Sequence, residues 1–306
     1  MGRIWIGILV AGLGWGTGGV ATRATLDQGT SPMAIAVYRG LIATVAVVVF
    51  LAIQRRGIPR TTVAWKVGLV MGLSNLALPF VLSNIALQYA SAGFLGLMMA
   101  LIPIFTAVIA HFALVGERLT LLRFAGLSIA LAGVAALLVS GDSGLPTGGR
   151  PVFAGVLGLI SVIAIAYGGV YAKRYAGQYR PMDVSGVHFL SGTLSIFAVS
   201  LVVEGWPGGE TAVALSLIAY LGVMCTFMPF VIFYWLLKKV SATYASMVGY
   251  VVPLIAIVAG ITLLDERLQP GIIVGGLLIL AGVTVTDRSY RLEGRQTTPV
   301  ESPDPA

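Results

Sequence analysis

The chain has 306 residues, of which 58% are hydrophobic and only 10% charged, and its mean hydropathy is +0.95. A composition this apolar excludes a soluble core and reads as a polytopic membrane protein. The net charge of +7 does not gather into a base-reading surface, because the basic residues are distributed between apolar runs by side of membrane; nucleic acid is therefore excluded as a partner.

A bilayer-crossing helix needs ~20 mainly apolar residues, whereas a barrel strand needs ~10 of alternating polarity. Runs that are long and apolar on all sides fall at residues 4–22, 33–53, 65–86, 90–114, 122–140, 152–172, 184–204, 213–235, 243–263 and 271–287. The first follows one basic residue, Arg3, lacks a cleavable signal pattern and reads as a retained span; near its middle it carries Trp15 and Thr17. Arg39 lies about a turn inside the second span, and the third holds Ser74, Asn75 and Pro79. Only Gln88 to Ala92 separate the third span from the fourth, so the two form a tight hairpin; the fourth carries Met98, Met99, Pro103 and, close to its inner end, His111. The sixth span holds Tyr167 and Tyr171, the seventh His188, and the eighth Thr226, Pro229 and the single Cys225, which rules out an intrachain disulfide. A second hairpin runs through Lys238 to Thr243 into the ninth span, with Ser246, Gly249, Tyr250 and Pro253. After about Asp287 the tail, rich in threonine and proline, is expected to be disordered.

One pattern occurs twice at an offset of about 150 residues. Leu78-Pro79-Phe80 returns as Met228-Pro229-Phe230, Ser91-Ala92 as Ser241-Ala242, Leu101-Ile102-Pro103 as Val251-Val252-Pro253, and Gly18-Gly19-Val20 as Gly168-Gly169-Val170. With a one-residue slip Glu117-Arg118-Leu119 matches Glu266-Arg267-Leu268, and Arg39 matches His188. Five spans per copy is an odd number, so the second copy is inverted. The expectation is an all-α polytopic membrane protein of ten transmembrane helices, with a first five-helix repeat at 1–145, a second, inverted one at 146–288, and a disordered cytoplasmic tail at 289–306. Secondary transporters have this architecture, since two similar halves of opposite orientation can exchange shapes around a central site. Fifteen of the 19 basic residues fall on one side if the amino terminus is inside, which predicts cytoplasmic termini. Gly12/Gly16, Gly14/Gly18, Gly68/Gly72 and Gly271/Gly275 are spaced to let helices approach closely.

Gly14-Trp15-Gly16 in the first span, Gly116-Glu117-Arg118-Leu119 and Asp265-Glu266-Arg267-Leu268 at the repeat spacing, and the paired five-span plan resemble the drug/metabolite transporter superfamily, EamA type, over roughly residues 4–287. The resemblance implies a carrier of the bacterial inner membrane. Within the superfamily the tryptophan- and tyrosine-bearing spans are most similar to exporters of aromatic and neutral amino acids.

Candidate substrate-binding residues are Trp15, Thr17, Ser74, Asn75, Met98, Met99, Tyr167, Tyr171, Thr226, Ser246 and Tyr250, all near mid-span. Aromatic and thioether side chains suit an apolar cavity that accepts varied cargo, although they also merely fill space between helices. Asn75 needs a hydrogen-bond partner at that depth. Candidate hinge or gate residues are Pro79, Pro103, Pro229 and Pro253, each of which removes a helical hydrogen bond, together with Arg39 and His188. Arg39 has three readings: it snorkels to the interface, binds a substrate carboxylate, or holds a gate closed through helix carbonyls. For His188 an ordinary interhelical hydrogen bond is expected. All 12 acidic residues map to loops, span ends or the tail, so no carboxylate is placed to carry a proton through the membrane, and facilitative transport or exchange is expected. No metal-ligand cluster, nucleophile–base pair or phosphate loop suggests an enzyme or a cofactor. The partners expected are a small-molecule substrate and the lipid bilayer; oligomeric state is open, a homodimer included. The alternative is a multidrug or other metabolite exporter of the same fold, proton-coupled, and a channel or membrane-embedded enzyme ranks third.

Overall fold

The computed structural model describes residues 2–55, 59, 61–114, 119–179, 181–239 and 248–296, without the side chains at 2, 3, 181, 234, 237–239, 249, 250, 287 and 289–296. The helices are α1 (Gly2–Asp27), α2 (Pro32–Ile53), α3 (Thr62–Ala86), α4 (Ala92–Ala113), α5 (Leu121–Val139), α6 (Pro151–Arg174), α7 (Pro181–Val203), α8 (Ala212–Gly222, Val223–Phe227 and Met228–Lys239), α9 (Val248–Leu264) and α10 (Pro270–Gln296). Among the described residues eight helices are long and apolar enough to span a bilayer, and two shorter apolar stretches lie in α9 and α10. Hydroxyl caps start several of them: the side chains of Ser31, Thr61, Ser91, Thr120 and Thr211 each accept the backbone N–H three residues on. Helix α10 departs from the expected boundary. It continues past Asp287 to Gln296; residues 240–247 and 297–306 lie outside the described residues.

Prolines decide where the helices deform. In α3 a π-helical stretch, Gly72–Ala77, immediately precedes Leu78-Pro79, and in α8 the corresponding stretch Val223–Phe227 precedes Met228-Pro229. A proline ring collides with the carbonyl four residues back and offers it no N–H; a widened turn relieves the collision. Helix α4 breaks at Ala100-Leu101 ahead of Pro103, whereas α9 passes through Pro253 without interruption.

Packing follows the repeat. Helix α1 lies on α8 and α9, and α6 on α3 and α4; α2 packs on α8 and α3 on α7; α2 meets α7, α4 meets α9, and α5 meets α10. The glycine pairs sit in these contacts. A Cβ at Gly12 or Gly16 would strike Val251 or Ile255 of α9, one at Gly68 or Gly72 would strike Val187 or Ser191 of α7, and one at Gly275 would meet Leu137 of α5. Gly14 faces the opposite way, with Met224 O and Pro229 of the deformed turn in α8 where its Cβ would be.

The end at which α3 turns into α4 is here the outer end, after the orientation the charges predict. It is knitted together within the first half and across both halves. Ser91 N donates to Ser143 O at 2.8 Å, Arg150 N to Tyr89 O at 2.9 Å, Arg267 N to Gly144 O at 3.0 Å and Gly271 N to Asp142 Oδ2 at 2.7 Å. Glu266 caps α4 from the α9–α10 loop: Ala92 N donates to its Oε1 at 2.6 Å and Gly93 N to its Oε2 at 3.2 Å. A large apolar cluster at this end draws on Val20, Leu87, Phe94, Leu101, Leu137 and Ile272, and a smaller one unites Ala21, Ile35, Leu221 and Cys225 of α1, α2 and α8. Further clusters lie toward the inner end. One cluster unites Ile8, Ala11, Leu236 and Val248 of α1, α8 and α9, and a separate one unites Ala64, Val67, Met71 and Val184 of α3 and α7 with Tyr171 of α6.

Two outcomes test this packing. Gly14→Ala should lower stability by about 1–3 kcal/mol through overpacking, while Gly169→Ala, which meets open space inside α6, should raise it by about 0.5–1 kcal/mol; thermal unfolding in detergent compares them. Burial pushes the Glu266 carboxyl above the ordinary carboxylate range, against the lowering effect of the Ala92 and Gly93 N–H groups and of Arg23. Its folded pKa therefore exceeds the unfolded one, so its contribution to stability is full below the unfolded pKa and is lost as pH rises through the folded pKa. Melting temperature should accordingly fall as pH is raised through that window, and Glu266→Gln should flatten this component.

Candidate functional site

Arg39 turns inward from α2 onto the π-helical turn of α8. Its Nε donates to Thr226 Oγ1 at 2.7 Å, and that hydroxyl donates to Leu221 O at 2.8 Å. Its Nη2 donates to Cys225 O at 3.3 Å. Cys225 stands four residues before Pro229, so this is the carbonyl from which the proline withholds a helical N–H. The guanidinium carbon lies 4.0 Å from the ring centre of Phe80. Two of the three readings of Arg39 are thereby separated from the third: the side chain does not snorkel outward but holds helix carbonyl and hydroxyl groups.

His188 occupies the related position on α7. The ring is fully buried, 4.9 Å from Phe189 and 5.5 Å edge-on from Phe230. Neither ring nitrogen has a hydrogen-bond partner among the described residues, contrary to the interhelical bond expected from sequence. The reason is local: the ring packs between phenylalanines. Phe230 also meets Trp15 edge-on at 5.6 Å, and Phe233 flanks the same indole at 5.6 Å. An aromatic row thus runs from α1 through α8 to α7.

The remaining candidates divide between the interior and the flanks. Asn75 has the partners it requires: Ser74 Oγ donates to its Oδ1 at 2.8 Å, and its Nδ2 donates to Ile165 O of α6 at 3.3 Å. Gly168 gives this pair room, since a Cβ there would overlap both side chains. Met98 is fully buried in the outer cluster against Gly158, and Met99 is half-buried beside it. Thr17 pairs with Tyr220 at 2.8 Å and donates to Leu13 O. Tyr167 does not join Trp15. It is 48% exposed and lines a lateral apolar groove of about 750 Å³ with Val70, Leu73, Ile109, Ile163 and Val199, between α3, α4, α6 and α7. Tyr171 stacks between Tyr167 and Tyr175, at 6.2 and 5.1 Å. Ser246 and the side chain of Tyr250 lie outside the described residues. Phe80, Phe230, the Cys225 carbonyl and Glu266 were not singled out as candidates, although the phenylalanines follow the repeated prolines and Glu266 belongs to the repeated Glu-Arg-Leu element.

The sequence matches the EamA-like transporter family over residues 2–139 and 152–286. It is 26% identical to the uncharacterized transporter YoaV of Bacillus subtilis, over 92% of this chain and 96% of that protein. It is also 26% identical to a probable terminal-alkyne amino-acid exporter of Streptantibioticus cattleyicolor, over 93% of both chains. A chain in a solved crystal structure, 19% identical, has the same fold, with a TM-score of 0.66 over 97% of this chain and 100% of that one. The two matched stretches cover nearly all of the helical part, and this chain belongs to the EamA-like transporter family.

Proposed function

We propose that this transporter exports small amphipathic metabolites, above all neutral and aromatic amino acids, by alternating access with facilitative or exchange energetics. The observation that carries the reading is Arg39. A half-buried guanidinium with Phe80 against it lies on the π-helical turn of α8, and its Nη1 has no partner among the described residues. A cation beside aromatic rings suits a cargo with a carboxylate at one end and an apolar side chain at the other. The name of the Streptantibioticus relative points to the same class. The halves 1–145 and 146–288 are the units that exchange shape, in the bacterial inner membrane with both termini cytoplasmic, as the 19 basic residues are distributed. The placement of every acidic residue at a loop, a span end or the tail supports transport without proton coupling.

The lateral apolar groove favours a second reading, a multidrug exporter taking lipophilic cargo from the bilayer. Counterflow of labelled L-phenylalanine in proteoliposomes separates the two. Under the first reading leucine and tryptophan compete, phenethylamine, which lacks the carboxylate, does not, and no pH gradient is needed. Arg39→Gln should weaken phenylalanine recognition by about tenfold or more, the worth of a charge-assisted hydrogen bond. Competition by lipophilic cations and not by amino acids would establish the second reading, and uphill accumulation driven by a proton gradient would refute the energetics. A label on the tail after Leu292 should be reached only from the cytoplasmic side; labelling from outside intact cells would reverse the orientation.

A further inference from the structure

We infer that Arg39 and His188 form a reciprocal pair of clamps, each able to close on the proline-deformed turn of a helix in the other half, and that the structure captures one clamp closed and the other open. The inference rests on the alternating-access reading and extends it to the residues that hold each state. The two environments correspond part by part. Arg39 of α2 packs on Phe80 of α3, as His188 of α7 packs on Phe230 of α8. Gly222 lets α2 close on α8, with the backbone of Arg39 beside it, and Gly72 lets α7 close on α3, with the backbone of His188 beside it. Pro229 deprives the Cys225 carbonyl of its helical N–H, and Pro79 does the same to the Asn75 carbonyl.

The contacts nevertheless differ. Arg39 binds its turn through Thr226 and the Cys225 carbonyl, while both nitrogens of the fully buried His188 are without a partner among the described residues. A buried imidazole with no hydrogen bond is unfavourable, and a second arrangement that supplies one recovers the loss. Transposing the Arg39 contact by the repeat supplies it: His188 would donate to the Asn75 carbonyl. The position of Thr226 is taken there by Leu76, so the second clamp has one ligand fewer and is the weaker. The Arg39 clamp is closed in a molecule whose outer end is hydrogen-bonded across the two halves. The His188 clamp therefore belongs to the outward-open state.

The test uses the full chain in cells, with Cys225→Ala to remove the native thiol and Val20→Cys as reporter; Val20 is buried in the outer cluster. Reaction with a membrane-impermeant maleimide added outside measures the outward-open population. Arg39→Ala should raise the labelling rate by about tenfold, the equilibrium shift expected from losing a charge-assisted bond. His188→Ala should lower it, and Leu76→Thr, which provides the missing hydroxyl, should raise it. If an alanine variant folds poorly, Arg39→Lys and His188→Gln should move the rate in the same respective directions by less. Changes of the same sign in the Arg39 and His188 variants, or no change in the latter, overturn the clamp pair. Alternating access itself survives that result if L-phenylalanine still alters labelling of the parent. Labelling that no variant and no substrate changes refutes both.

Discussion

In hydrocarbon a backbone carbonyl that loses its helical N–H has no water to turn to, and a proline in mid-helix creates such a carbonyl. Pro229 does so at Cys225, and much of the interior is arranged around the response. The helix widens into a π turn, Gly14 admits the swollen backbone against α1, and Arg39 crosses from α2 to bind the exposed oxygen. A charge that would be costly in lipid is stabilised by the Thr226 hydroxyl and by a carbonyl that has lost its helical N–H. Two defects, each unfavourable alone, satisfy one another, and the geometry of α1, α2 and α8 is fixed by their meeting.

The fold was legible in the sequence to the extent that its causes are local. Hydropathy marked ten apolar runs because a bilayer sets their length, and the small-residue pairs marked real contacts because only glycine allows the backbones of α1 and α9, or α3 and α7, to come so close. The need of Asn75 for a partner was equally clear, since burial of an amide demands it; that the partner is Ile165 O was not.

What sequence did not reveal is rotation. Depth along a span can be counted, but the direction a side chain faces depends on which neighbours its helix meets, so Tyr167 was grouped with Trp15 and proves to lie on the flank. The inward turn of Arg39 belongs to the same class, because its acceptor exists only once Pro229 has deformed a helix 190 positions away in the chain. The repeat identified matching positions yet not their different occupancy: Arg39 is bonded, His188 is not.

Helix α10 has a consequence beyond the site. Its 27 residues measure ~40 Å at 1.5 Å per residue, against ~30 Å of hydrocarbon. Upright in the bilayer it would place about two turns in the headgroup layer, at the end whose sequence carries Arg291 and Arg295. Because α10 packs along α5, any tilt that brings more of α10 into hydrocarbon carries α5 with it, so bilayer thickness acts on the two helices together.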